Sequence, residues 1–516
     1  MLLELFALSN GQNWANNTHW GDAAGTECTW YGVFCSEDSS HVLEITLPKN
    51  NLVGFLPESL AALTQLDVLS VPVNHLSGGL PPLSGLTHLR LLYIYDNEFF
   101  GEIPDLSGLH ELAAVVAYRN HLSGAIPSFA DLSALSYFNV AANELSGALP
   151  SFAGSPHLSY FIATQNRLTG TLPPLSQLTD LSIFDVCVNA LEGSIPAIAG
   201  MTNLTWFSVC ENQLSGTVPS LSGLRALWVF YLDRNHLTGE LPSLADLIKI
   251  KYFYVNDNEL SGSIPSLVGL KELLDLGLMR NRFDGNFPPV AGLFNLSALM
   301  LGENDFSGPF PALNGLTNLQ LVDGERNRFS GGLPDLADLH SLDWLDFGEN
   351  QFTGTIPPLR HLDLLQVASF SDNRLTGPLP SLGEMANLHF FIVMNNHLSG
   401  TLPAVPIPNN LTPGGSRLCP NNFDITESPE WDLAINFLYP PWYKDCLHIF
   451  WNGFESVQGA QDASTFGRDS RHAPVERLPT LPIRNRPMPD GMRGTYAPGN
   501  PARHNAGQVL LPANTQ

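Results

Sequence analysis

The stretch LSYFIATQNRLTGTLP, residues 158–173, decides the fold, because its Asn, Gly and Pro return at the same offsets 23 residues later in LSIFDVCVNALEGSIP. Aligned on the Asn, the chain contains sixteen such units; the first starts at Val42 and has 24 residues, and the others have 23. Asn occupies position 9, Gly position 13 and Pro position 16 in all sixteen units. Repetition of this length predicts a solenoid, in which the units stack into one long body.

Each conserved column of the repeat has a structural reason. Positions 1, 4 and 6 are apolar, as in Leu158, Phe161 and Ala163, and variable residues lie between them. This alternation predicts a short strand with one buried face, which neighbouring units cover by pairing their strands in parallel. A buried Asn can donate and accept, so the Asn column is expected to satisfy backbone groups where each strand ends. Gly permits a tight backbone, and Pro fixes φ where the chain crosses to the outer side.

The repeat resembles the motif LxxLxLxxNxLxGxIP of extracellular leucine-rich-repeat proteins of the plant type. The likeness covers residues 1 to about 446 and includes NGQNWANNTHW followed by CTWYGVFC near the N-terminus. It implies an α/β solenoid, a right-handed leucine-rich-repeat superhelix with a parallel β-sheet on its concave face and a cap at both ends. It also implies a disulfide between Cys28 and Cys35, with Trp30 packed beneath it. The family includes receptor ectodomains, inhibitors of cell-wall-degrading enzymes and protozoan surface antigens, although fifteen of the units here lack one residue of the usual plant repeat.

Four segments are predicted along the chain. They are an N-terminal cap (1–41), the sixteen repeats (42–403), a C-terminal cap (404–446) and a disordered tail containing Pro and Arg (447–516). The paired Cys419 and Cys446 and many aromatic residues favour the second cap, which an open-ended solenoid requires. The apolar start of the chain is too short for a signal peptide and has no basic leader. It is expected to form a capping helix with one apolar side made of Leu2, Leu3, Leu5, Phe6 and Leu8.

The charge of the chain argues against some partner classes. The formal net charge is −25, and residues 447–516 hold seven Arg, no Lys and five acidic residues. Residues 1–446 therefore carry 17 basic and 44 acidic residues, a net charge of −27. A body this acidic repels nucleic acid and anionic membranes, so neither is an expected partner. No run of eighteen apolar residues occurs that would span a bilayer.

Cysteines and sequons favour a secreted or cell-surface location. The six cysteines fall into three pairs along the chain, and Asn-x-Ser/Thr sequons begin at Asn16, Asn203, Asn295 and Asn410. In the middle pair, Cys187 and Cys210 both occupy position 7 of adjacent units. The spacing of neighbouring strands is compatible with a disulfide there, and equally with two stacked free thiols.

Positions 3, 5 and 7 of each unit are expected to point away from the core and to line the concave face. Eight of the twelve tyrosines fall at these positions, whereas Phe often takes the core positions. This division favours a recognition surface, because a tyrosine ring gives contact area and a polar tip at low entropic cost. The alternative is that aromatic residues simply cover a parallel sheet. The candidate ligand-binding residues are Tyr93, Tyr95, Tyr118, Tyr137, Tyr160, Trp206, Tyr231, Tyr252, Tyr254 and Trp344.

The same face becomes acidic toward its C-terminal end. The predicted acidic patch consists of Asp275, Asp323, Glu325, Asp343 and Asp346, with Glu303 and Glu349 adding charge from the strand ends. Two interpretations remain open for this patch. It is either a docking zone for a basic partner or a solvated surface that keeps the protein soluble.

Nothing in the sequence forms a recognisable catalytic or metal-binding motif. The histidines at position 10 (His75, His121, His236 and His397) are spread along the solenoid instead of converging. Paired acids such as Asp343 and Asp346 are expected to keep ordinary pKa values, because an open sheet is not a cleft. The chain is therefore predicted to be a non-enzymatic recognition protein that binds a protein, peptide or glycan and needs no cofactor. Alternative hypotheses are a structural surface-coat glycoprotein without a single ligand, and an enzyme acting on polysaccharides.

Overall fold

A computed structural model describes residues 1–435 and 442–443. Positions 3 to 5 of every repeat form one strand of a single long sheet, and equivalent residues of successive units lie side by side. Tyr137, for example, pairs with Tyr160 in a parallel ladder. One further strand, Val33–Cys35, pairs antiparallel with the first repeat strand and brings the sheet to 17 strands. The strands are Val33–Cys35, Val42–Thr46, Val68–Ser70, Leu91–Tyr93, Ala114–Val116, Tyr137–Asn139, Tyr160–Ile162, Ile183–Asp185, Trp206–Ser208, Val229–Tyr231, Tyr252–Tyr254, Asp275–Gly277, Ala298–Met300, Leu321–Asp323, Trp344–Asp346, Val367–Ser369 and Phe390–Ile392.

A second row of parallel strands, which the sequence analysis did not predict, follows the Asn of each unit. It begins at position 10, and the apolar side chain at position 11, such as Leu76 or Phe99, is fully buried. Successive strands of this row pair with an offset of two positions, as in Gly78 opposite Phe99. The strands are Val53–Gly54, His75–Gly78, Glu98–Glu102, His121–Gly124, Glu144–Ala148, Arg167–Thr171, Ala190–Ser194, Gln213–Thr217, His236–Gly239, Glu259–Gly262, Arg282–Asn286, Asp305–Gly308, Arg328–Gly332, Gln351–Gly354, Arg374–Gly377, His397–Gly400 and Asn422–Phe423.

Helix is sparse and lies mainly at the ends of the described chain. The α-helices are Leu2–Leu8 and Pro429–Ile435, and the 3-10 helices are Gly11–Asn13, Glu27–Thr29 and Glu58–Ala62. The last of these belongs to the single 24-residue unit. The 23-residue units are one residue shorter there and cross the same arc in turns. The predicted leucine-rich-repeat solenoid is confirmed, and its outer arc is made of turns and short strands.

The core takes the residues that the repeat pattern assigned to it. Phe138, Phe161 and Phe184, all at position 4, are fully buried. Their rings stack from coil to coil with centroids 5.7 Å apart. Tyr137 and Tyr160, at position 3, are half-buried and lie outside the core cluster. The predicted separation of Phe into the core and Tyr onto the opposite side of the sheet is therefore correct.

The Asn column forms a ladder of side-chain hydrogen bonds that ties each coil to the one before it. The Nδ2 of Asn97 donates to the carbonyl of Ile94 in its own coil at 3.1 Å and to that of Val71 in the preceding coil at 3.0 Å. Its Oδ1 accepts the backbone N–H of Leu76, also in the preceding coil, at 3.0 Å. Asn421, in the C-terminal cap, continues the ladder by accepting the N–H of Leu398 at 2.9 Å. The side chain thus satisfies backbone groups that have left the strand ladder.

Backbone at the residue before each Asn adopts a left-handed conformation. All sixteen residues at position 8, none of them Gly, have φ between 49° and 58°. Such values are uncommon for residues with a Cβ. Hydrogen bonds to the next coil hold this conformation. The N–H of Asp96, for instance, donates to the carbonyl of Tyr118 at 3.0 Å, and the N–H of Asn97 donates to the carbonyl of Arg119 at 3.2 Å.

The N-terminal cap covers the first coil with aromatic side chains. Cys28 and Cys35 form the expected disulfide, with a Cα–Cα distance of 5.5 Å. Trp30 is 2% exposed and lies 5.0 Å from Trp20, centroid to centroid. The prediction for the first helix was partly wrong. Leu2 and Leu5 are buried, but Leu3 and Leu8 are exposed. Leu3 is rotated by about 100° from Leu2 around a helix of only two turns, and the carbonyl of Leu8 accepts the N–H of Phe55 of the first repeat while its side chain faces outward.

The described part of the C-terminal cap closes the other end of the core. Trp431 is 1% exposed, and its indole N–H donates to the carbonyl of Pro403 at 2.9 Å. Cys419 is disulfide-bonded; Cys446, its predicted partner, lies outside the described residues, as does the predicted tail at 447–516. The proposed segment boundaries at 41, 403 and 446 stay predictions.

Replacing one ladder Asn should destabilise the whole array. Asn235 is 5% exposed, donates to the carbonyls of Val209 and Leu232, and accepts the N–H of Leu214. Asn235→Ala leaves these buried groups without partners, so we expect the free energy of unfolding to fall by about 3 kcal/mol. Chemical denaturation followed by circular dichroism measures this loss. The exposed Asn318, whose side chain makes one bond to Phe294, is the control; an equal loss in Asn318→Ala would contradict the role assigned to the ladder.

Candidate recognition face

The side of the long sheet that bears positions 3, 5 and 7 is called the sheet face below. All ten predicted ligand-binding residues fall at positions 3, 5 or 7, and none of them belongs to the core cluster. They do not form a continuous track. The rings fall into three groups: the two tyrosine pairs come from four consecutive coils, the coil that carries Ile183 separates them from the third group, and Trp344 lies apart from them all.

Two of these groups are pairs of rings from neighbouring coils. Tyr95 and Tyr118 stack with centroids 4.7 Å apart and an interplanar angle of 14°. The guanidinium carbon of Arg119 lies 6.0 Å from the centroid of the Tyr118 ring. Tyr137 and Tyr160 follow, at 5.1 Å and 32°. Tyr93 is half-buried in the same region.

The third and largest group contains a residue that the sequence analysis missed. Trp228, at position 2, packs edge-on against Trp206 at 5.5 Å and lies 6.4 Å from Tyr252. Tyr231 lies 5.8 Å from Trp206 and 5.2 Å from Tyr254, again edge to face. Position 2 precedes the strand, so the rule based on positions 3, 5 and 7 did not include it. A tryptophan in a column otherwise made mainly of small or polar residues was the available signal.

Tyrosine hydroxyls on the sheet face are donors at neutral pH. Burial raises the pKa values of Tyr93, Tyr95, Tyr118, Tyr160, Tyr231 and Tyr254. The hydroxyl of Tyr254 donates to Oδ2 of Asp275 at 2.8 Å. The indole N–H groups of Trp206 and Trp344 are buried and have no acceptor within the residues that the structure describes. The two side chains are 4% and 7% exposed.

Of the five residues predicted to form the acidic patch, three lie together in the structure. Asp323 and Asp346 pair on adjacent strands, and Glu325 lies two residues after Asp323. The first Oδ of each Asp accepts a backbone N–H two residues later, that of Glu325 at 3.0 Å and that of Gly348 at 2.8 Å. Burial raises the pKa of Asp323 well above its usual range and that of Asp346 to about 7, and it also raises the pKa of Glu325. The expectation that carboxyl groups on this sheet keep ordinary pKa values was wrong, because neighbouring strands bury them.

The other members of that patch lie elsewhere or have other partners. Asp275 is two strands away, where it accepts hydrogen bonds from Tyr254 and, at 2.8 Å, from Ser297. Asp343 is at position 2, before the strand that carries Asp346. Glu303 and Glu349 lie at position 8, where arginines pair with both in an ion-pair ladder, and their negative charges still help to raise the pKa values of the three carboxylates.

This ladder follows position 8 along one edge of the sheet face through seven consecutive coils. Arg280 joins Asp257 at 3.2 Å to Glu303 at 2.8 Å, and Arg326 joins Glu303 at 3.8 Å to Glu349 at 2.9 Å. Acidic and basic residues alternate in the order Glu211, Arg234, Asp257, Arg280, Glu303, Arg326 and Glu349. The alternation was visible in the sequence at a period of 23 residues, but it is meaningful only once the units are known to stack side by side.

Two more buried carboxylates on the sheet face were not among the predicted residues. Asp185 accepts the N–H of Cys187 at 3.1 Å, and burial raises its pKa to about 6. Asp233 accepts the backbone N–H and the side-chain Nδ2 of Asn256 at 2.7 and 2.9 Å, and burial raises its pKa to about 7. Both belong to the same columns as the acids that were predicted.

A disulfide links two neighbouring coils on the sheet face. Cys187 and Cys210 are bonded, with Cα atoms 4.6 Å apart, so the alternative of two free thiols was wrong. The pair lies between the tyrosine pair at Tyr137 and Tyr160 and the tryptophan-containing group. It covalently joins the two coils whose strands end at Asp185 and Ser208.

Three of the four sequon asparagines also have a structural contact. Asn203, Asn295 and Asn410 are exposed, and the Nδ2 of each donates to a carbonyl of the preceding coil at 2.7–3.0 Å. Asn318 and Asn387 make the same contact without a sequon. The fourth sequon is in the N-terminal cap, where Asn16 accepts the hydroxyl of Thr18 at 2.7 Å.

Two other kinds of feature, a metal-binding cluster and a membrane-spanning helix, are absent from the described residues. Among residues 1–435 and 442–443, no group of three or more His, Cys, Asp or Glu side chains is arranged to hold a metal ion. In the same residues, no helix has the length and apolar character needed to cross a bilayer.

The buried Asp185 should make stability depend on pH. Its pKa rises from 3.8 to about 6 on folding, so its contribution is fully favourable below pH 3.8 and is lost as the pH rises through about 6. Above that pH the buried charge lowers the free energy of unfolding. We expect Asp185→Asn to restore up to about 3 kcal/mol of this free energy at neutral pH. Denaturation at several pH values measures it. A change of the same size in Asp363→Asn, at an exposed residue, would contradict the assignment.

Comparison with known proteins gives the same architecture. No protein-family model matches the chain. A probable LRR receptor-like serine/threonine-protein kinase of Arabidopsis thaliana is 33% identical over 61 residues, which are 12% of this chain and 9% of the kinase. The match thus spans less than a tenth of that curated relative.

Solved structures match over most of the chain. PEPR1–AtPEP1 has a TM-score of 0.67 at 26% identity, covering 84% of this chain and 70% of that one. The plant peptide hormone receptor RGFR1 in complex with RGF2 has a TM-score of 0.55 at 25% identity, covering 75% and 81%. The chain therefore has the leucine-rich-repeat fold and resembles plant LRR receptors in architecture.

Proposed function

We propose that this chain is a non-enzymatic recognition protein, secreted or on the cell surface, that binds a peptide or an extended segment of a protein on its sheet face. The observation that carries the proposal is the grouping of tyrosine and tryptophan rings on the side of the sheet opposite the core. None of these rings is required to fill the core. Large rings that are half-buried and carry polar tips are typical of surfaces that bind other proteins.

An extended peptide fits the polar atoms of this face. The indole N–H groups of Trp206 and Trp344, both without an acceptor among the described residues, need carbonyl or other oxygen acceptors. They are six strands apart, which corresponds to about 29 Å along the sheet. About nine residues of extended chain span that distance. The likeness to a plant peptide hormone receptor in complex with RGF2 supports a peptide over a glycan.

The alternative function, a surface-coat glycoprotein without a single ligand, accounts for less. Sequons, disulfides and net negative charge suit it well. It gives no reason for Trp206, Trp228, Tyr231 and Tyr252 to gather on one face, where the indole N–H of Trp206 has no acceptor among the described residues. Nucleic acid and anionic membranes are not proposed as partners, because the net charge of −25 opposes both.

The central test removes rings from the sheet face. We expect the triple variant Tyr137→Ala, Tyr160→Ala and Tyr252→Ala to lose capture of the partner by at least about tenfold, since buried aromatic anchors dominate binding energy. Affinity capture from the native extracellular fluid followed by mass spectrometry measures the loss. Circular dichroism should show an unchanged fold, because the rings are outside the core cluster.

Phe100 provides the matched control for this experiment. Its ring is 55% exposed and belongs to the second row of strands, not to the sheet face. Phe100→Ala should leave capture unchanged. A partner that is captured equally by the wild type and the triple variant would favour the coat alternative.

Glycosylation offers an independent test of the proposed location. We expect Asn203, Asn295 and Asn410 to carry N-glycans when the chain is expressed through a eukaryotic secretory pathway, because all three are exposed sequons. Asn318 and Asn387, which lie at the same position of their coils without a sequon, are internal controls. Peptide mapping after glycosidase treatment detects occupancy, and bare asparagines at all three sites would argue against this location.

A further inference from the structure

The three acids Asp323, Glu325 and Asp346, called the acidic anchor below, form no salt bridge with a basic side chain of the described residues. Asp323 is 1% exposed and Asp346 3% exposed, on adjacent strands of the sheet face. Buried carboxylates in proteins are normally paired with a cation. The guanidinium groups that act on Glu325, those of Arg280 and Arg326, are already held by the ion-pair ladder.

Two buried polar atoms beside the acidic anchor have no hydrogen-bond partner in the described part of the chain. One is Oδ2 of Asp323, whose other oxygen accepts the N–H of Glu325. The other is the indole N–H of Trp344, two residues before Asp346 on the same face. Unsatisfied buried polar atoms are rare in native proteins and call for an explanation. Here they leave one acceptor and one donor available to a ligand.

Glycines make room for the carboxylates. The position-7 column reads Gly302, Glu325 and Gly348 in three consecutive coils. A Cβ on Gly302 would lie 2.6 Å from Oδ1 of Asp323, and one on Gly348 would lie 3.1 Å from Oδ1 of Asp346. Side chains on both sides of Glu325 would therefore displace the carboxylates from their present positions.

Resting on the function proposed above, we propose that the acidic anchor binds the guanidinium group of an arginine side chain of the peptide partner. A guanidinium carries five N–H donors in a planar fork, which suits several carboxylate oxygens at once, including the unsatisfied Oδ2 of Asp323. A metal ion does not fit, because no group of three or more acids in the described residues is arranged to hold one. Arginine is preferred to lysine, since a planar cation also packs against the Trp344 ring.

The protonation states of the acidic anchor predict how binding responds to pH. Burial raises the pKa of Asp323 well above its usual range and the pKa of Asp346 to about 7. The charged groups that act on the three acids, besides one another, are Glu303, Glu349, Arg280 and Arg326. A bound cation favours the deprotonated acids. Binding should therefore release protons and strengthen as the pH rises through about 7.

The test uses the full chain and three pentapeptides, Gly-Gly-Arg-Gly-Gly and its lysine and citrulline counterparts. Citrulline has nearly the shape of arginine but no charge. We expect calorimetry to give about tenfold tighter binding of the arginine peptide than of the citrulline peptide, with proton release on binding. Asp323→Asn and Asp346→Asn should each abolish this preference.

Both variants are expected to fold. Asn139 occupies the equivalent position in an earlier coil, and its Oδ1 accepts the N–H of Ala141 at 3.1 Å, as the aspartates do two residues ahead. Removing a buried unpaired charge should also raise the midpoint of thermal unfolding. Asp363→Asn, at an exposed residue, removes one negative charge without touching the acidic anchor and should keep the arginine preference.

Several outcomes would overturn the assignment. Equal binding of arginine and citrulline peptides by the wild type would show that no guanidinium site exists. An equal loss in Asp363→Asn would show general attraction to an acidic body. If the triple tyrosine variant loses the captured partner while Asp323→Asn and Asp346→Asn retain it, the recognition face stands and the arginine anchor is wrong. If all these variants retain the partner, both proposals fail.

Discussion

The amide side chain at position 9 holds backbone groups of two coils at once, and the rest of the molecule depends on it. Each strand of the long sheet is only a few residues long, so the backbone soon leaves the strand ladder, and some of its carbonyl and N–H groups then need other partners. The Nδ2 group of Asn97 donates to a carbonyl of its own coil and to one of the preceding coil, and its Oδ1 accepts an N–H of the preceding coil. A smaller or apolar side chain would leave these groups buried and unsatisfied. This explains why the residue recurs in every unit and again, out of period, at Asn421.

Identical coils turn columns of the sequence into continuous features of the surface. Because Asn fixes the relative position of neighbouring coils, every side chain at a given position lies beside its equivalent one strand away. Position 4 becomes a stack of phenylalanine rings, position 8 an ion-pair ladder, and position 7 carries the disulfide between Cys187 and Cys210. The sheet face is therefore a rigid support on which small changes in each column place rings or charges next to one another.

Charge on this support is not distributed as the composition suggests. The body is strongly acidic, yet along position 8 the acids are matched by arginines. Asp323, Glu325 and Asp346 have no such ion pair among the described residues, and they lie near the indole N–H of Trp344, which has no acceptor there either. The aromatic groups lie nearer the N-terminal end of the sheet. The sheet face thus has an aromatic part and an acidic part.

The sequence by itself determined the features that depend on one coil and its exact copies. The Asn, Gly and Pro columns and the separation of Phe161 from Tyr160 follow from the period, and the resemblance to plant-type leucine-rich-repeat proteins implied the disulfide of the N-terminal cap. Other features needed the tertiary structure, because they arise between coils. The second row of strands was missed because it has only one apolar position per unit. The left-handed backbone at position 8 carries no Gly that would mark it, and Trp228 precedes the strand whose alternating positions defined the sheet face. The pKa values of Asp323 and Asp346 depend on how far adjacent strands bury them, and no residue pattern states that depth. A linear repeat records which side chains share a column, whereas only the stacked coils decide how closely those side chains pack and which of their polar atoms are left without a partner.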